Sequence, residues 1–138
     1  MARVLIVDDE PDILLMLRVS LETEGYETAM AADGETALAR VADEQFDLML
    51  LDVMMPVMDG WGVLENLQHH PNPPRVVVVS AKSSDQDVAR ALGAGAVDYL
   101  TKPFSPRDLS SLVAEVLTLD DDAVAGHRQA RLGQPRPS

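Results

Sequence analysis

Acidic, hydroxyl and ammonium side chains follow four of the predicted β-strands. Asp8 and Asp9 follow the first strand, and Asp52 follows the third. Ser80 follows the fourth strand and Lys102 the fifth. Three carboxylates within roughly 4 Å of one another would repel by about 4 kcal/mol per pair at an effective dielectric constant near 20. They therefore require a bound cation or a strongly raised pKa.

The available ligand types favour a hard divalent cation. The sequence has no cysteine, and its three histidines lack the spacing of metal ligands on a helix. Carboxylates without nearby histidine or cysteine favour Mg²⁺ or Mn²⁺ over zinc. Because Mg²⁺ commonly bridges protein oxygens to phosphate, the sequence predicts a site that handles phosphate through a metal ion.

Asp52 is the predicted nucleophile of this site. A carboxylate forms an acyl phosphate when a metal ion and an ammonium neutralise the incoming group. Asp52 stands alone after a central apolar strand, Lys102 would supply the ammonium, and the Ser80 hydroxyl would donate a hydrogen bond. The loop after the first strand, Asp8-Asp9-Glu10-Pro11-Asp12, is acidic rather than glycine-rich. It would repel a nucleotide phosphate instead of cradling it.

The elements that must position these residues alternate between strands and helices. Each of five β-type runs is followed by a segment with helical spacing. Continuous apolar runs at residues 48–51 and 76–79 fit central strands buried on both faces. The pattern predicts a doubly wound α/β sandwich with a parallel sheet, which binds ligands at the carboxyl ends of its strands. The runs are Arg3 to Val7, Tyr26 to Ala31, Asp47 to Leu51, Arg75 to Val79 and Ala96 to Leu100.

Capping residues predict where the helices begin and end. Pro11 opens the first helix, which ends before Gly25. The fourth helix is predicted to begin near Ser84 and to end before Gly93, and the fifth to begin at Ser105.

Length and composition indicate one ordinary globular domain. The chain has 138 residues, 46% hydrophobic and 25% charged, with a formal net charge of −12. That charge would repel a nucleic-acid backbone, so direct binding to DNA or RNA is not expected. The apolar runs are too short to span a membrane, and the N-terminus becomes acidic before a signal-peptide core could form. A cytoplasmic protein without membrane insertion is expected.

The last residues differ from the rest. Asp120, Asp121 and Asp122 end the apolar stripe of the fifth helix, and glycines and prolines interrupt the remaining residues. We expect a domain over residues 1–119 and a linker-like or weakly structured tail over 120–138, with a short helix from Asp121 to Leu132 left open.

Four stretches together resemble one known family. In the order and at the strand ends in which they occur, they resemble the receiver domain of response regulators, over about residues 2–118. The resemblance implies a flavodoxin-like (βα)5 fold with strand order 2-1-3-4-5, an order that the apolar pattern alone does not supply. The stretches are Val7-Asp8-Asp9-Glu10, Leu51-Asp52-Val53-Met54-Met55-Pro56 with Met58-Asp59-Gly60, Ser80-Ala81, and Asp98-Tyr99-Leu100-Thr101-Lys102-Pro103-Phe104.

The resemblance also implies a metal site. Asp52 matches the phosphoacceptor of the family. Asp9 and Asp52, with the backbone carbonyl of Met54, match direct ligands of Mg²⁺ or Mn²⁺. Asp8 matches an acid that supports these ligands or reaches the metal through a water molecule.

The remaining matched residues imply a signalling role. Ser80 and Lys102 match the pair that binds the phosphoryl oxygens, and Ser80 and Tyr99 match groups that move on activation. The implied protein is a phosphoprotein that takes its phosphoryl group from a sensor histidine kinase or a phosphotransfer protein. It switches the binding of an effector protein through the face formed by helix 4, strand 5 and helix 5. It is not expected to be an enzyme beyond promoting its own phosphorylation and dephosphorylation, and no organic cofactor is implied.

Three alternatives stay open. The chain could be the receiver fragment of a longer regulator with a separate output domain. A pseudo-receiver that binds partners without phosphate would be expected to lack an acid or the lysine, and both are present. A Mg²⁺-dependent phosphatase would need a second acid two residues after Asp52, where Met54 stands.

The sequence also bears on self-association. Family members joined to winged-helix DNA-binding domains usually carry an acidic pair before the tyrosine and an arginine in the fifth helix. The matching positions here are Val97-Asp98 and Leu112, so the expected state is a monomer or weak dimer with Asp98 unpartnered. Leu112 belongs either to the core or to an apolar spot on the face formed by helix 4, strand 5 and helix 5.

Overall fold

Five parallel strands form the centre of the computed structural model, which describes residues 2–55, 59–81 and 84–133. In chain order, they are β1 (Arg3–Val7), β2 (Glu27–Ala31), β3 (Leu48–Leu51), β4 (Arg75–Ser80) and β5 (Asp98–Thr101). Neighbouring strands pair in the order β2-β1-β3-β4-β5. The predicted doubly wound α/β fold and its strand order are confirmed.

In the described part of the chain, six helices connect or follow the strands. Ser84 and Ser105 cap two of them as predicted, and Asp108 completes a capping box with Ser105. One predicted end differs, because α4 continues through Gly93 and the left-handed turn falls at Gly95, with φ of 113°. Among the described residues, no helix is both long and apolar enough to cross a bilayer. The helices are α1 (Pro11–Thr23), α2 (Gly34–Asp43), α3 (Gly60–Leu67), α4 (Asp85–Gly93), α5 (Pro106–Thr118) and α6 (Asp121–Gly133).

An apolar core lies on each face of the sheet. The first core packs against α2, α3 and α4, and the second packs against α1 and α5. Successive residues of a strand point to opposite faces, so Leu5 and Val7 of β1 enter the first core while Val4 and Ile6 enter the second. All four residues of β3 are buried. Because β1 and β3 pack into an apolar core on each face of the sheet, this packing holds the ends of both strands in place.

Residues 121–133 form α6, so this part of the expected weakly structured tail contains the helix that the sequence left open from Asp121 to Leu132. Residues 134–138 of that tail lie outside the described residues. The contacts of α6 with β5 are polar: His127 and Arg131 lie 2.8 and 3.0 Å from the carboxylate of Asp98. Val124 packs at the margin of the second core. The apolar pattern gave little signal for this helix, because charged groups supply most of its contacts.

Two expectations about β5 and α5 are tested in the same region. Asp98 has partners within the chain, so the expectation that it stands unpartnered is wrong. Leu112 is half-buried and packs against the second core, which favours its place in the apolar stripe of α5.

Gly60 begins α3 directly against the chain that follows β3. A Cβ atom at this position would lie 2.5 Å from the Cα of Val53 and 2.6 Å from the carbonyl oxygen of Asp52. Because both are backbone atoms, they cannot move aside as a flexible side chain would. Crowding a packed site costs about 1–3 kcal/mol, so Gly60→Ala should lower the free energy of unfolding by that amount, as measured by urea denaturation.

Gly93→Ala is the matched control for that substitution. Nothing lies within 4 Å of a Cβ atom at Gly93, and alanine is favoured over glycine inside a helix by roughly 0.5–1 kcal/mol. Its urea midpoint should be unchanged or raised. Equal losses of stability in the two variants would contradict the close packing described at Gly60.

Candidate functional site

Backbone hydrogen bonds between neighbouring strands bring the chemistry-bearing residues to one edge of the sheet. Asp8 follows β1, and the amide of Asp52 donates to the carbonyl of Val7 at 3.0 Å. Similarly, the amide of Lys102 donates to the carbonyl of Ser80 at 2.9 Å. Because parallel strands end on the same side, the first bond brings Asp52 beside Asp8. The second bond brings Lys102 beside Ser80 at the end of β4. The Lys102-Pro103 peptide bond is cis.

Four carboxylates meet at this edge. Asp8, Asp9, Glu10 and Asp52 each place an oxygen within 4.8 Å of the oxygens of the other three. Asp8 and Asp52 are buried, at 1% and 4% exposure, whereas Asp9 and Glu10 face solvent. Each buried carboxylate is oriented by a local backbone bond, from the amide of Glu10 to Asp8 Oδ1 and from the amide of Met54 to Asp52 Oδ1, both at 2.9 Å.

The Lys102 ammonium joins the two buried acids. Its Nζ lies 2.8 Å from Asp8 Oδ2 and 3.3 Å from Asp52 Oδ2. Burial works to lower the pKa of Lys102, but the hydrogen bond to Asp8 and the charges of Asp52 and Asp8 outweigh it and keep that pKa above its ordinary value. The lysine is therefore held as a cation between the two carboxylates.

Among the described residues, the single ammonium of Lys102 does not compensate all of these negative charges. Burial and the charge of Asp8 raise the pKa of the Asp52 carboxyl, although the amide of Met54 and the nearby Lys102 act to lower it. The pKa values of Asp52 and of the partly buried Lys102 are both raised, but for different reasons: burial dominates at Asp52, and the paired acids dominate at Lys102. The site can still accept positive charge.

The donor set fits a hard divalent cation. All four clustered side chains offer carboxylate oxygens, the ligands that Mg²⁺ and Mn²⁺ prefer. Asp8, Asp9 and Asp52, predicted from the sequence, lie together in this cluster. Glu10 was missed, although it continues the same acidic run. Met54 is exposed and donates its amide to Asp52, and a role for its carbonyl as a ligand stays a prediction.

The side chains of Ser80 and Tyr99 lie in contact with each other. Ser80 is the last residue of β4 and is fully buried, and Tyr99 of β5 is buried in the first core. Burial raises the pKa of the Tyr99 phenol, and a hydrogen bond with the Ser80 side chain opposes that rise. The structure therefore brings the two residues predicted to move on activation into contact.

Comparison with known proteins gives a consistent set of matches. The family model described as "Response regulator receiver domain" matches residues 4–114. The alkaline phosphatase synthesis transcriptional regulatory protein PhoP of Bacillus subtilis is 40% identical over 115 residues, which are 83% of this chain and 48% of PhoP. The DNA-binding response regulator MtrA of Mycolicibacterium smegmatis is 40% identical over 123 residues, 89% of this chain and 54% of MtrA. The chain thus spans about half the length of the curated relatives it matches.

Solved structures show the same fold. A CheY-like response regulator receiver domain protein of Methanospirillum hungatei has a TM-score of 0.80 and 35% identity, covering 91% of this chain and 98% of its own. The response regulator TrrA of Thermotoga maritima, in complex with Mg²⁺ and beryllofluoride, has a TM-score of 0.76 and 32% identity, covering 84% and 99%.

The raised pKa of Asp52 predicts how its charge affects stability. A carboxyl group with a raised pKa in the folded protein favours the fold when protonated, below its ordinary pKa of 3.8, and loses that contribution as the pH rises through the folded-state value. Asp52→Asn removes the charge. In the absence of divalent cations, this variant should melt a few degrees higher than the wild type near pH 7, and the difference should shrink as the pH falls through the folded-state pKa of Asp52 toward 3.8.

Addition of Mg²⁺ should raise the melting temperature of the wild type more than that of Asp52→Asn. The control is Asp12→Asn, because Asp12 is an exposed acid in the first turn of α1. Its loss should slightly lower the melting temperature, since an acid there favours the helix dipole. If Asp52→Asn melted lower than the wild type near neutral pH, the pairing with Lys102 would outweigh the cost of burying the charge.

Proposed function

The chain belongs to the response regulator receiver domain family, and from this premise we propose that Asp52 accepts a phosphoryl group from a sensor histidine kinase or a phosphotransfer protein. One observation carries the proposal: Lys102 Nζ lies within hydrogen-bonding distance of both buried carboxylates, Asp8 and Asp52. This contact supports the proposal, because an ammonium beside Asp52 would help to neutralise an incoming phosphoryl group.

In the proposed reaction, a carboxylate oxygen of Asp52 attacks the phosphorus atom. A phosphorus–oxygen bond forms to Asp52 while the bond from phosphorus to the donor breaks, and the donor atom leaves with the bonding electron pair. For a phosphohistidine donor, the leaving atom is an imidazole nitrogen. Lys102 exchanges its contacts with the carboxylates for contacts with the phosphoryl oxygens, and the Ser80 hydroxyl donates to one of them. Positioning and charge neutralisation supply the catalysis.

Asp8, Asp9 and Asp52 would hold a Mg²⁺ or Mn²⁺ ion, with Glu10 at the margin and the Met54 carbonyl as a further oxygen. When bound, the ion would offset the repulsion between the carboxylates and the phosphoryl oxygens. The excess of clustered carboxylates over the Lys102 ammonium supports this proposal, as does the Mg²⁺ and beryllofluoride complex of TrrA.

The proposed output surface is the α4–β5–α5 face, formed by residues 85–93, 98–101 and 106–118. Ser80 ends β4, Lys102 directly follows β5, and Tyr99 lies within β5 itself. A shift in these residues would change how the face binds an effector protein. We further propose that the chain acts in the cytoplasm and turns over no separate substrate.

The domain division also stands as a proposal. Residues 1–119 would form the receiver, because the family model ends at residue 114 and α5 ends at Thr118. The relatives PhoP and MtrA extend over about twice the matched length, which favours a second candidate: the receiver portion of a longer regulator with a separate output domain. A pseudo-receiver is disfavoured, because the acids and the lysine lie together.

Phosphorylation can be tested with small donors. Incubation of the full chain with acetyl phosphate or phosphoramidate and Mg²⁺ should add one phosphoryl group, observed by intact-mass spectrometry. Phosphoramidate provides the phosphorus–nitrogen bond that a histidine donor would provide. Asp52→Asn and chelation of Mg²⁺ should each abolish the addition, because one removes the nucleophile and the other the neutralising cation.

Asp12→Asn is the matched control, because it removes an exposed acid of the first helix that lies outside the cluster. It should be labelled like the wild type. Equal labelling of Asp52→Asn and the wild type would place the acceptor elsewhere, and labelling that persists without a divalent cation would contradict the role of the metal.

A further inference from the structure

Asp98 anchors α6 to the edge strand of the sheet. This first residue of β5 is 5% exposed. Its Oδ2 lies 2.8 Å from Nε2 of His127, and its Oδ1 accepts from Nε of Arg131 at 3.0 Å. The amide of Tyr99 also donates to Oδ1, at 2.7 Å. A carboxylate buried this far requires such partners, and two of these three partners are side chains of α6.

The same turn of α6 also contacts the two helices beside β5. The Arg128 guanidinium donates to the carbonyl of Leu92 in the last turn of α4. His127 Nδ1 lies 3.6 Å from the carboxylate of Glu115 in α5. Residues 127–131 therefore contact α4, β5 and α5 at once, which are the three elements of the α4–β5–α5 face.

A second group of contacts holds the beginning of α6. Arg75, the first residue of β4, donates to the carbonyl of Val116 at 2.7 Å and lies 3.3 Å from the carboxylate of Asp121. Val124 packs against the margin of the second core. The helix is thus attached at both ends, and its charged turn is directed at the face.

β5 links this helix to the acidic cluster. Asp98 stands at one end of the four-residue strand, and Lys102, which follows the other end, contacts Asp8 and Asp52. The described structure, in which α6 is docked, pairs Lys102 with these two carboxylates. A phosphoryl group on Asp52 would compete with them for Lys102 and would therefore pull on β5, the strand that α6 contacts.

We propose that α6 is an intramolecular clamp on the α4–β5–α5 face, which opposes the switch that phosphorylation of Asp52 drives. The proposal rests on the proposed function. Hydrogen bonds weaken steeply with distance and angle, so the contacts of His127, Arg128 and Arg131 fit one relative position of α4, β5 and α5. Movement of α4 against β5 breaks at least one of them. Because coupling between two equilibria is reciprocal, phosphorylation loosens α6, and loss of the clamp favours the phosphorylated arrangement.

The test compares the double variant His127→Ala/Arg131→Ala with the wild type in the full chain. Neither residue lies in the acidic cluster. Gln129→Ala is the matched control, because Gln129 lies in the same turn of α6 and is exposed. Hydrogen exchange of the amides in residues 121–133 reports whether α6 is docked.

The single tryptophan offers a signal for the switch. Trp61 of α3 stacks with Arg90 of α4, whose Cζ lies 4.0 Å from the ring centroid, so its fluorescence responds to the position of α4. Each protein is titrated with beryllofluoride in the presence of Mg²⁺. The double variant should show faster exchange in α6 and half-saturation at a roughly five-fold lower concentration, a typical allosteric coupling, while Gln129→Ala matches the wild type. In the wild type, beryllofluoride should speed exchange in α6.

Three results would overturn the clamp. One is unchanged exchange in α6 of the double variant, which would show that these contacts do not hold the helix. Another is the same beryllofluoride concentration at half-saturation in the double variant and the wild type although α6 is released. This result would show that α6 covers the face but is not coupled to the switch. The third is that beryllofluoride changes hydrogen exchange only around Asp52, Ser80 and Lys102 and leaves α6 unaffected. In the last two cases the proposed function stands, whereas failure of every protein to bind beryllofluoride would overturn the proposed function together with the clamp.

Discussion

The Lys102 ammonium between two buried carboxylates is the contact on which the rest of the structure depends. Asp8 and Asp52 are adjacent because β1 and β3 are adjacent, and apolar cores on both faces fix the ends of those strands. Two negative charges buried side by side are unfavourable without a cation. Lys102 reaches them from β5, beyond the intervening strand β4. The position of the edge strand is therefore tied to the charge state of the central acids.

This arrangement makes β5 a strand with charged contacts at both ends. At one end Lys102 compensates Asp8 and Asp52, and at the other Asp98 is compensated by α6. Tyr99 lies between them, in contact with Ser80 of β4. Under the proposed function, an anion or cation at the acidic cluster would change the balance at one end, and the strand would transmit that change to the helices packed beside it. The proposed regulation thus rests on competition among a few charges for the same partners.

The sequence predicted the position of the acidic cluster because parallel strands must end together. Once five strands were recognised, Asp8, Asp9, Asp52 and Lys102 were expected at one edge, and the structure brings them there. The strand order came from the family resemblance, since the apolar pattern does not distinguish arrangements of buried strands. Helix α6 was left open by the sequence rather than predicted, because its contacts come from single charged residues that meet Asp98 only in three dimensions. The end of α4 was misplaced for a smaller reason: Gly93 is accommodated in the helix, and Gly95 makes the turn.

Lys102 is expected to move from the carboxylates to a phosphoryl group on Asp52, and nitrogen NMR of the lysine side chains tests this central claim most directly. The sequence has only two lysines, so ¹⁵N-lysine labelling gives at most two side-chain signals, and Lys102→Arg identifies the one from Lys102. Beryllofluoride with Mg²⁺ should shift the Lys102 signal in the wild type and leave it in place in Asp52→Asn. A Lys102 signal that stays unchanged while beryllofluoride binds the wild type, or that shifts equally in Asp52→Asn, would contradict the claim.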